Sequence, residues 1–448
     1  MVNVLLLLFS SLVLCLPLLY FKRKWPDLDV VDIYIIFIVL HFGVYPFIRG
    51  LYFGKGLIYD SYYSNPLVVG LVFLQILSII IIIRVASAYF PAKINNYLKI
   101  KTLIRQWASV NNFAILSIYG LLILFQIISY YKYGVKAYVS ADDFARMGRD
   151  LPYWLTSMRT IYNYLVIGVF IVLFAKASRS EDWPRYFWLA LIIIMLPFGA
   201  YFGRKTFANI VVIGVIIWLV SRGEKIDQVK YLKIAALMML SFVLMSNMYQ
   251  TYRPILQTVG FSLRQLENPI AAALNFKGTL QNLKDRPGTW ELDYLVLDKH
   301  LHSPGKATTD GKITREELKS AIPRLLWPNK KFETMNELLS NLYGVTMEDV
   351  NVGSNIFAVA QLEVGFFSII IVPLIILLVI IMMAGLLKMT VNQPILFWLF
   401  SMNILNFFIF VEENQPELFF MLRNTIAIMA IFLINKILTS RRNKEVTT

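Results

Sequence analysis

The sequence predicts an all-α polytopic membrane protein with about eleven transmembrane helices and one large extracytoplasmic loop. Three observations carry this. Only 16% of the 448 residues are charged while 58% are hydrophobic, and mean hydropathy is +0.61; a soluble domain usually carries about 25% charged residues. Apolar runs long enough to cross about 30 Å of hydrocarbon recur along the chain. Lysine and arginine are unevenly shared between alternate connections.

The runs place helices at 2–21, 31–50, 66–90, 110–131, 160–178, 184–202, 206–221, 231–250, 364–388, 394–411 and 417–438. The sixth and seventh are parted only by "GRKT" (203–206), but together they are far too long for one crossing. Residues 1–250 thus carry helices one to eight. Residues 251–363 form the large outer loop, 364–438 carry helices nine to eleven, and 439–448 form a basic tail.

One set of short connections holds Lys22, Arg23 and Lys24, then Arg84, Lys93, Lys99, Lys101 and Arg105, then Lys176, Arg179 and Arg185. It continues with Arg222, Lys225, Lys230 and Lys233, then Lys388, and ends with Lys436, Arg441, Arg442 and Lys444. The opposite set holds Arg49, Lys55, Lys132, Lys136, Arg146, Arg149, Arg159, Arg204 and Lys205. Positive residues collect on the cytoplasmic side, so the N-terminus is expected outside and the C-terminus inside. "KINNYLKIKTLIRQW" (93–107) reads as a basic cytoplasmic surface helix.

The net charge of +15 is explained by topology and anionic headgroups; no nucleic-acid motif accompanies it, and no nucleic-acid partner is expected. Cys15 is the single cysteine, which rules out an intrachain disulfide. Leu14 precedes it where a lipoprotein signal needs a small residue. No basic residue precedes the first apolar run, so that run is expected to remain as a helix.

Motifs for several chemistries are missing or broken. "KATTDGKITREE" (306–317) has calcium-loop spacing, but Lys306 and Thr308 stand where oxygen ligands are required. A turn at Asp310-Gly311, then a helix with Thr314 as N-cap and Glu317 at its third position, accounts for the same residues. His300 and His302 point about 200° apart on a helix and do not form a chelate. No GxSxG, HExxH, P-loop or dinucleotide turn occurs. An inverted-repeat transporter would show matching halves; this chain has one large late loop instead.

What remains faces outward. Arg204 and Lys205 lie in "YFGRKTF", Arg253 begins the large loop, Arg286 precedes "PGTWELDYL", and Arg324 lies in "IPRLLWP". Guanidinium forks suit phosphate oxygens, although each arginine also suits an interfacial contact with lipid phosphate. Trp290, Tyr294 and Trp327 are able to stack on sugars or to sit in an aromatic belt. Glu363, at the expected outer start of helix nine, either interacts with the helix dipole or orients a hydroxyl. Asp142, Asp143, Asp293, His300 and His302 are further acid–base candidates, and Glu412, Glu413 and Glu417 are expected to pair with the basic loop.

"GRK" at 203–205, "RPGTWELDYLVLD" at 286–298, "IPRLLWPNKK" at 322–331 and "NVGSNIFAVAQLEVGFFS" at 351–368, with the late outer loop, resemble bacterial O-antigen and exopolysaccharide repeat-unit polymerases of the Wzy type. The resemblance covers about a quarter of the chain, and "PRxxWPxK" is its most specific patch. It implies a GT-C-like glycosyltransferase of the bacterial inner membrane, acting without cofactor or metal on undecaprenyl-diphosphate-linked oligosaccharides. A chain-length regulator and a flippase would be its partners. On this resemblance Arg204, Lys205, Arg253, Arg286, Arg324 and Trp327 would bind substrate, with Glu363 first and Asp293 or His302 next as the catalytic base. Glycan ligation to a lipid core, flipping of lipid-linked sugars, and a scaffold role remain as alternatives.

Overall fold

The computed structural model describes residues 27–44, 66–91, 96–133, 153–200, 204–222, 289–302, 309–322, 335–343, 355–411 and 414–447, with single positions such as Trp327 and Glu333. The described residues are helical, with one isolated bridge between Asp29 and Lys99 and no strand. The expected helices at 2–21 and 231–250 lie essentially outside them. By contact the chain divides into two compact units. One comprises residues 1–23, 29–99 and 287–448, the other residues 24–28 and 100–286.

In the first unit, α1 (Val30–Val39) continues as a π-helical turn to Val44, and α2 spans Pro66–Ala88. Asp29 and Asp32 close a reciprocal capping box at the start of α1. Arg84 near the end of α2 bridges both carboxylates, at 3.4 and 3.3 Å.

The late-loop sequence supplies α8 (Thr289–His302), α9 (Lys312–Ala321), α10 (Met335–Tyr343) and α11 (Ile356–Val364). After these come α12 (Ser368–Thr390), α13 (Pro394–Ile409) and α14 (Asn414–Thr447). Helix α12 packs on α2 and α13, and α13 packs on α14 and α1. Helix α12 is apolar all round. It buries Val372, Ile376, Val379 and Ile380 but exposes Ile370, Leu374, Leu378 and Ile381 on its other face. A helix apolar on both faces is suited to protein on one side and lipid on the other.

The second unit holds α3 (Ile100–Ala108), α4 (Asn112–Tyr133), α5 (Tyr153–Arg179), α6 (Asp182–Ala200) and α7 (Arg204–Arg222). Helix α5 is the hub, packing on all four others. Helix α3 buries Ile100, Leu103, Ile104 and Trp107 and exposes Lys101 and Arg105, the amphipathic pattern expected of 93–107. The chain turns by 86° between α3 and α4.

Among the described residues two helices, Leu67–Ala88 and Ile356–Thr390, are long and apolar enough to cross a membrane, and a third is gained if the bent α3–α4 pair is one span. Val30–Val44, Ile210–Ser221 and Pro394–Ile409 are apolar but shorter.

Two local expectations need correction. The helix expected at 364–388 begins earlier, at Ile356, and breaks at Gly365–Phe367 before continuing as α12. Its first part was assigned to the loop because Gln361 and Glu363 interrupt the apolar run. The Gln361 side-chain oxygen and the Glu363 carboxylate both accept hydrogen bonds from outside α11, while Gln361 Nε2 is buried with no hydrogen-bond partner among the described residues. The Gln361 side-chain oxygen accepts from Gln75 (3.1 Å) and Ser368 (3.0 Å), and Gln75 also donates to Ser368 (2.8 Å). In α9 the N-cap is Gly311 rather than Thr314. The Asp310-Gly311 turn itself is present, with φ of 48° and 78°.

Candidate functional site

Helices α8 to α11 form a small helical cluster within the first unit. Its core is Leu292, Leu295, Val296, Ile313, Leu338, Leu339, Ala358, Val359 and Leu362. Helix α8 packs on α11 and α2, while α9 packs on α11 and α14. The polar residues around this core determine what it presents.

Asp293 lies in the second turn of α8 and is buried. Its Oδ2 accepts from the Asn355 side-chain amide at 3.0 Å. Asn355 is the N-cap of α11, and its own side-chain oxygen accepts from the Ala358 N–H at 2.8 Å. Burial pushes the Asp293 carboxyl up to about 8, and the Asn355 hydrogen bond offsets only part of that. A carboxyl in this range is able to hold or release a proton near neutrality.

Glu363 is in the last turn of α11, not at a helix start, so the dipole argument for it does not apply. Its two oxygens accept from the Thr314 N–H at 2.7 Å and the Thr314 hydroxyl at 2.5 Å. A glutamate from one helix thereby caps the first turn of another, replacing the local cap that α9 lacks. The Thr309 N–H donates to the Leu362 carbonyl at 3.0 Å and fastens the same junction.

Seven residues after Asp293 on α8, and so on the same face, stands His300. Its ring lies edge-on to Phe366, centroids 5.7 Å apart, and Nε2 is 2.7 Å from where a Cβ on Gly365 would sit. Its Nδ1 is buried and has no hydrogen-bond partner among the described residues. His302 points the other way. It is largely exposed, with Nδ1 2.8 Å from the Asp298 carbonyl. The sequence reading favoured the exposed histidine, whereas the enclosed one was legible from the spacing Asp293, Val296, His300.

The segment that follows α9 is held at both ends. At the C-terminal end of α9, Arg423 from α14 donates to the Ala321 carbonyl at 3.1 Å. Beyond the "IPRLLWPNKK" segment, the Glu333 carboxylate pairs with Lys312 at 2.6 Å, and the Glu333 N–H donates to Glu316 at 3.3 Å. Glu316 also accepts from Lys319 at 2.6 Å, and this ammonium holds its carboxyl below the usual range. The segment leaves α9 at one end and returns to its first turns. Leu326 and Trp327 on it are 76% and 42% exposed, so Trp327 is available to a ligand. Tyr294 is not, being buried in the cluster. Arg423 was missed in the sequence because it lies within an apolar run and its partner is 102 residues away.

Arg204 and Lys205 form the first turn of α7 in the second unit. Arg253, Arg286 and Arg324 lie outside the described residues, as do Asp142 and Asp143. Among the described residues no three His, Cys, Asp or Glu side chains gather as a metal-binding set. Family models, curated proteins and solved structures each return no match to this chain.

Proposed function

We propose that this chain is a membrane glycosyltransferase that joins undecaprenyl-diphosphate-linked oligosaccharide repeats into O-antigen, capsule or exopolysaccharide on the outer face of the cytoplasmic membrane. In this reading it has eleven crossings in a GT-C-like arrangement, with residues 251–363 outside and the C-terminus in the cytoplasm. The observation that carries it is the "IPRLLWPNKK" segment. It bears the most specific part of the resemblance; on one side of it α14 holds the Ala321 carbonyl, on the other Glu333 is tied to α9, and Trp327 is exposed. Its two prolines each fix φ and so lower the conformational entropy that binding a sugar–diphosphate would cost.

In the reaction, an acceptor sugar hydroxyl attacks the anomeric carbon of the donor glycan. The bond from that carbon to the diphosphate oxygen breaks, and the lipid diphosphate leaves as the anion. Arg204, Lys205, Arg253, Arg286 and Arg324 would bind the diphosphate and stabilise the charge that develops on it. The hydroxyl proton passes to a carboxylate or imidazole of the α8–α11 cluster, with Glu363, Asp293 and His302 as candidates. The test is reconstitution. Purified protein with a lipid-diphosphate-linked repeat should release lipid diphosphate and yield products of two or more repeats; intact single-repeat substrate after prolonged incubation would contradict the proposal.

Glu363→Gln separates the two roles open to that residue. The amide keeps one acceptor oxygen for Thr314 but cannot take a proton. As the general base, Glu363 replaced by Gln should lower kcat by about 100-fold or more with little change in thermal stability. As a cap alone, it should cost about 1 kcal/mol of stability and only a few-fold in kcat. Both of its oxygens already meet Thr314, so the second outcome is expected, and His302, which is largely exposed, is then the candidate that substrate is able to reach.

A further inference from the structure

The junction of α3, α4, α5 and α6, entirely within the second unit, bears an open cleft of about 700 Å³. Arg105, Lys176 and Arg179 line it, and no carboxylate does. Glu181 and Asp182 lie on the neighbouring turn but do not line it.

Lys176 is more than nine-tenths buried. Its ammonium donates to the carbonyls of Ala108 (3.0 Å) and Val110 (2.6 Å) and to the Asn112 side chain (2.7 Å). It also lies 5.2 Å from the centroid of the Trp188 ring. Every one of these partners is neutral. Lys176 holds the 86° corner between α3 and α4 together, and its positive charge remains in the cleft wall. Arg105 and Arg179 are exposed and line the same cleft, and among the described residues no hydrogen bond ties their guanidinium groups to the backbone.

The opposite wall is apolar. Leu116, Trp183 and Phe187 line it and are 36%, 78% and 39% exposed. Trp183 and Phe187 are four residues apart on α6 and so share a face. Two arginine forks above a buried cation suit a phosphate, and the aromatic and aliphatic wall suits the chains attached to it.

We infer that this corner binds the phosphate headgroup of an anionic glycerophospholipid. The inference rests on the membrane reading above, which assigns the corner to the cytoplasmic leaflet. It does not depend on the glycosyltransferase activity.

The test uses the full chain in phosphatidylcholine nanodiscs titrated with phosphatidylglycerol carrying brominated acyl chains, which quench nearby tryptophan. Wild type should show a saturable quenching component that the same lipid series with a choline headgroup lacks. R105Q/R179Q should raise its half-saturating mole fraction about tenfold or more. R105K/R179K, which keeps the charge without the fork, should fall between. Lys101→Gln removes an exposed cation of α3 that does not line the cleft, and should stay within about twofold of wild type.

An unchanged double variant would overturn the proposal. So would an equal loss in Lys101→Gln, which would mean diffuse surface charge. Displacement by inorganic phosphate at matched ionic strength would mean a free-anion site and would overturn the lipid assignment. Failure of the chain to enter nanodiscs would remove the membrane reading itself, a result distinct from entry without the saturable component.

Discussion

Gly365→Ala should measurably destabilise the folded protein. Gly365 has φ of 58° and ψ of −136°, a conformation that costs a residue with a Cβ about 1–3 kcal/mol. The added Cβ would also fall 2.7 Å from Nε2 and 3.0 Å from Cε1 of His300. That ring is braced edge-on by Phe366 and has little room to withdraw. Together the two effects should destabilise the first unit by about 2–4 kcal/mol. Thermal unfolding of the purified protein would show a midpoint several degrees lower. H300A/G365A removes the collision but keeps the backbone cost, so it should recover part of the loss. A wild-type midpoint in Gly365→Ala would mean that the helix does not break at this residue.

The second large effect is a pH dependence carried by Asp293. Its carboxyl is pushed up to about 8 in the folded chain, against about 3.9 when unfolded. Between these values the folded state binds a proton that the unfolded state does not. Asp293 therefore contributes stability that is fully present below about pH 4 and is lost as pH rises to about 8, at up to about 1.4 kcal/mol per pH unit. Asp293→Asn keeps an oxygen for the Asn355 amide and never ionises. Relative to wild type it should gain on the order of 3 kcal/mol between pH 5 and pH 8. Denaturant unfolding of both proteins across that range measures it. Glu316, whose carboxyl is shifted the other way, loses its contribution on acidification, and the comparison cancels it. Parallel curves for the two proteins would show that Asp293 is ionised and hydrated.

The same two residues mark where sequence stops predicting structure. Long apolar runs were legible. Expected helices at 66–90, 184–202 and 394–411 appear as Pro66–Ala88, Asp182–Ala200 and Pro394–Ile409, because long, predominantly apolar runs leave few alternatives to helix. The amphipathic helix Ile100–Ala108 was equally legible from Ile100, Leu103, Ile104 and Trp107 at helical spacing. Polar residues were not, because their partners lie far along the chain. Gln361 reads as a helix breaker until Gln75, 286 residues away, is placed beside it. Glu363 reads as a free acid at a helix start until Thr314 takes both oxygens. Asp293 reads as a solvated loop acid, although Leu292, Leu295 and Val296 beside it in sequence belong to the buried core of the cluster.

For the proposed activity, Glu363 and Arg423 act as positioning residues. One caps the start of α9 and the other binds the Ala321 carbonyl at its end.

The most direct test of the central claim is a glycan ladder gel from a strain lacking this protein, complemented with wild type or Arg204→Ala at matched membrane levels. The account predicts that the deletion leaves single-repeat glycan, that wild type restores the full ladder and that Arg204→Ala does not. Repeats trapped on the cytoplasmic face of the membrane in the deletion strain would contradict it and make the protein a flippase.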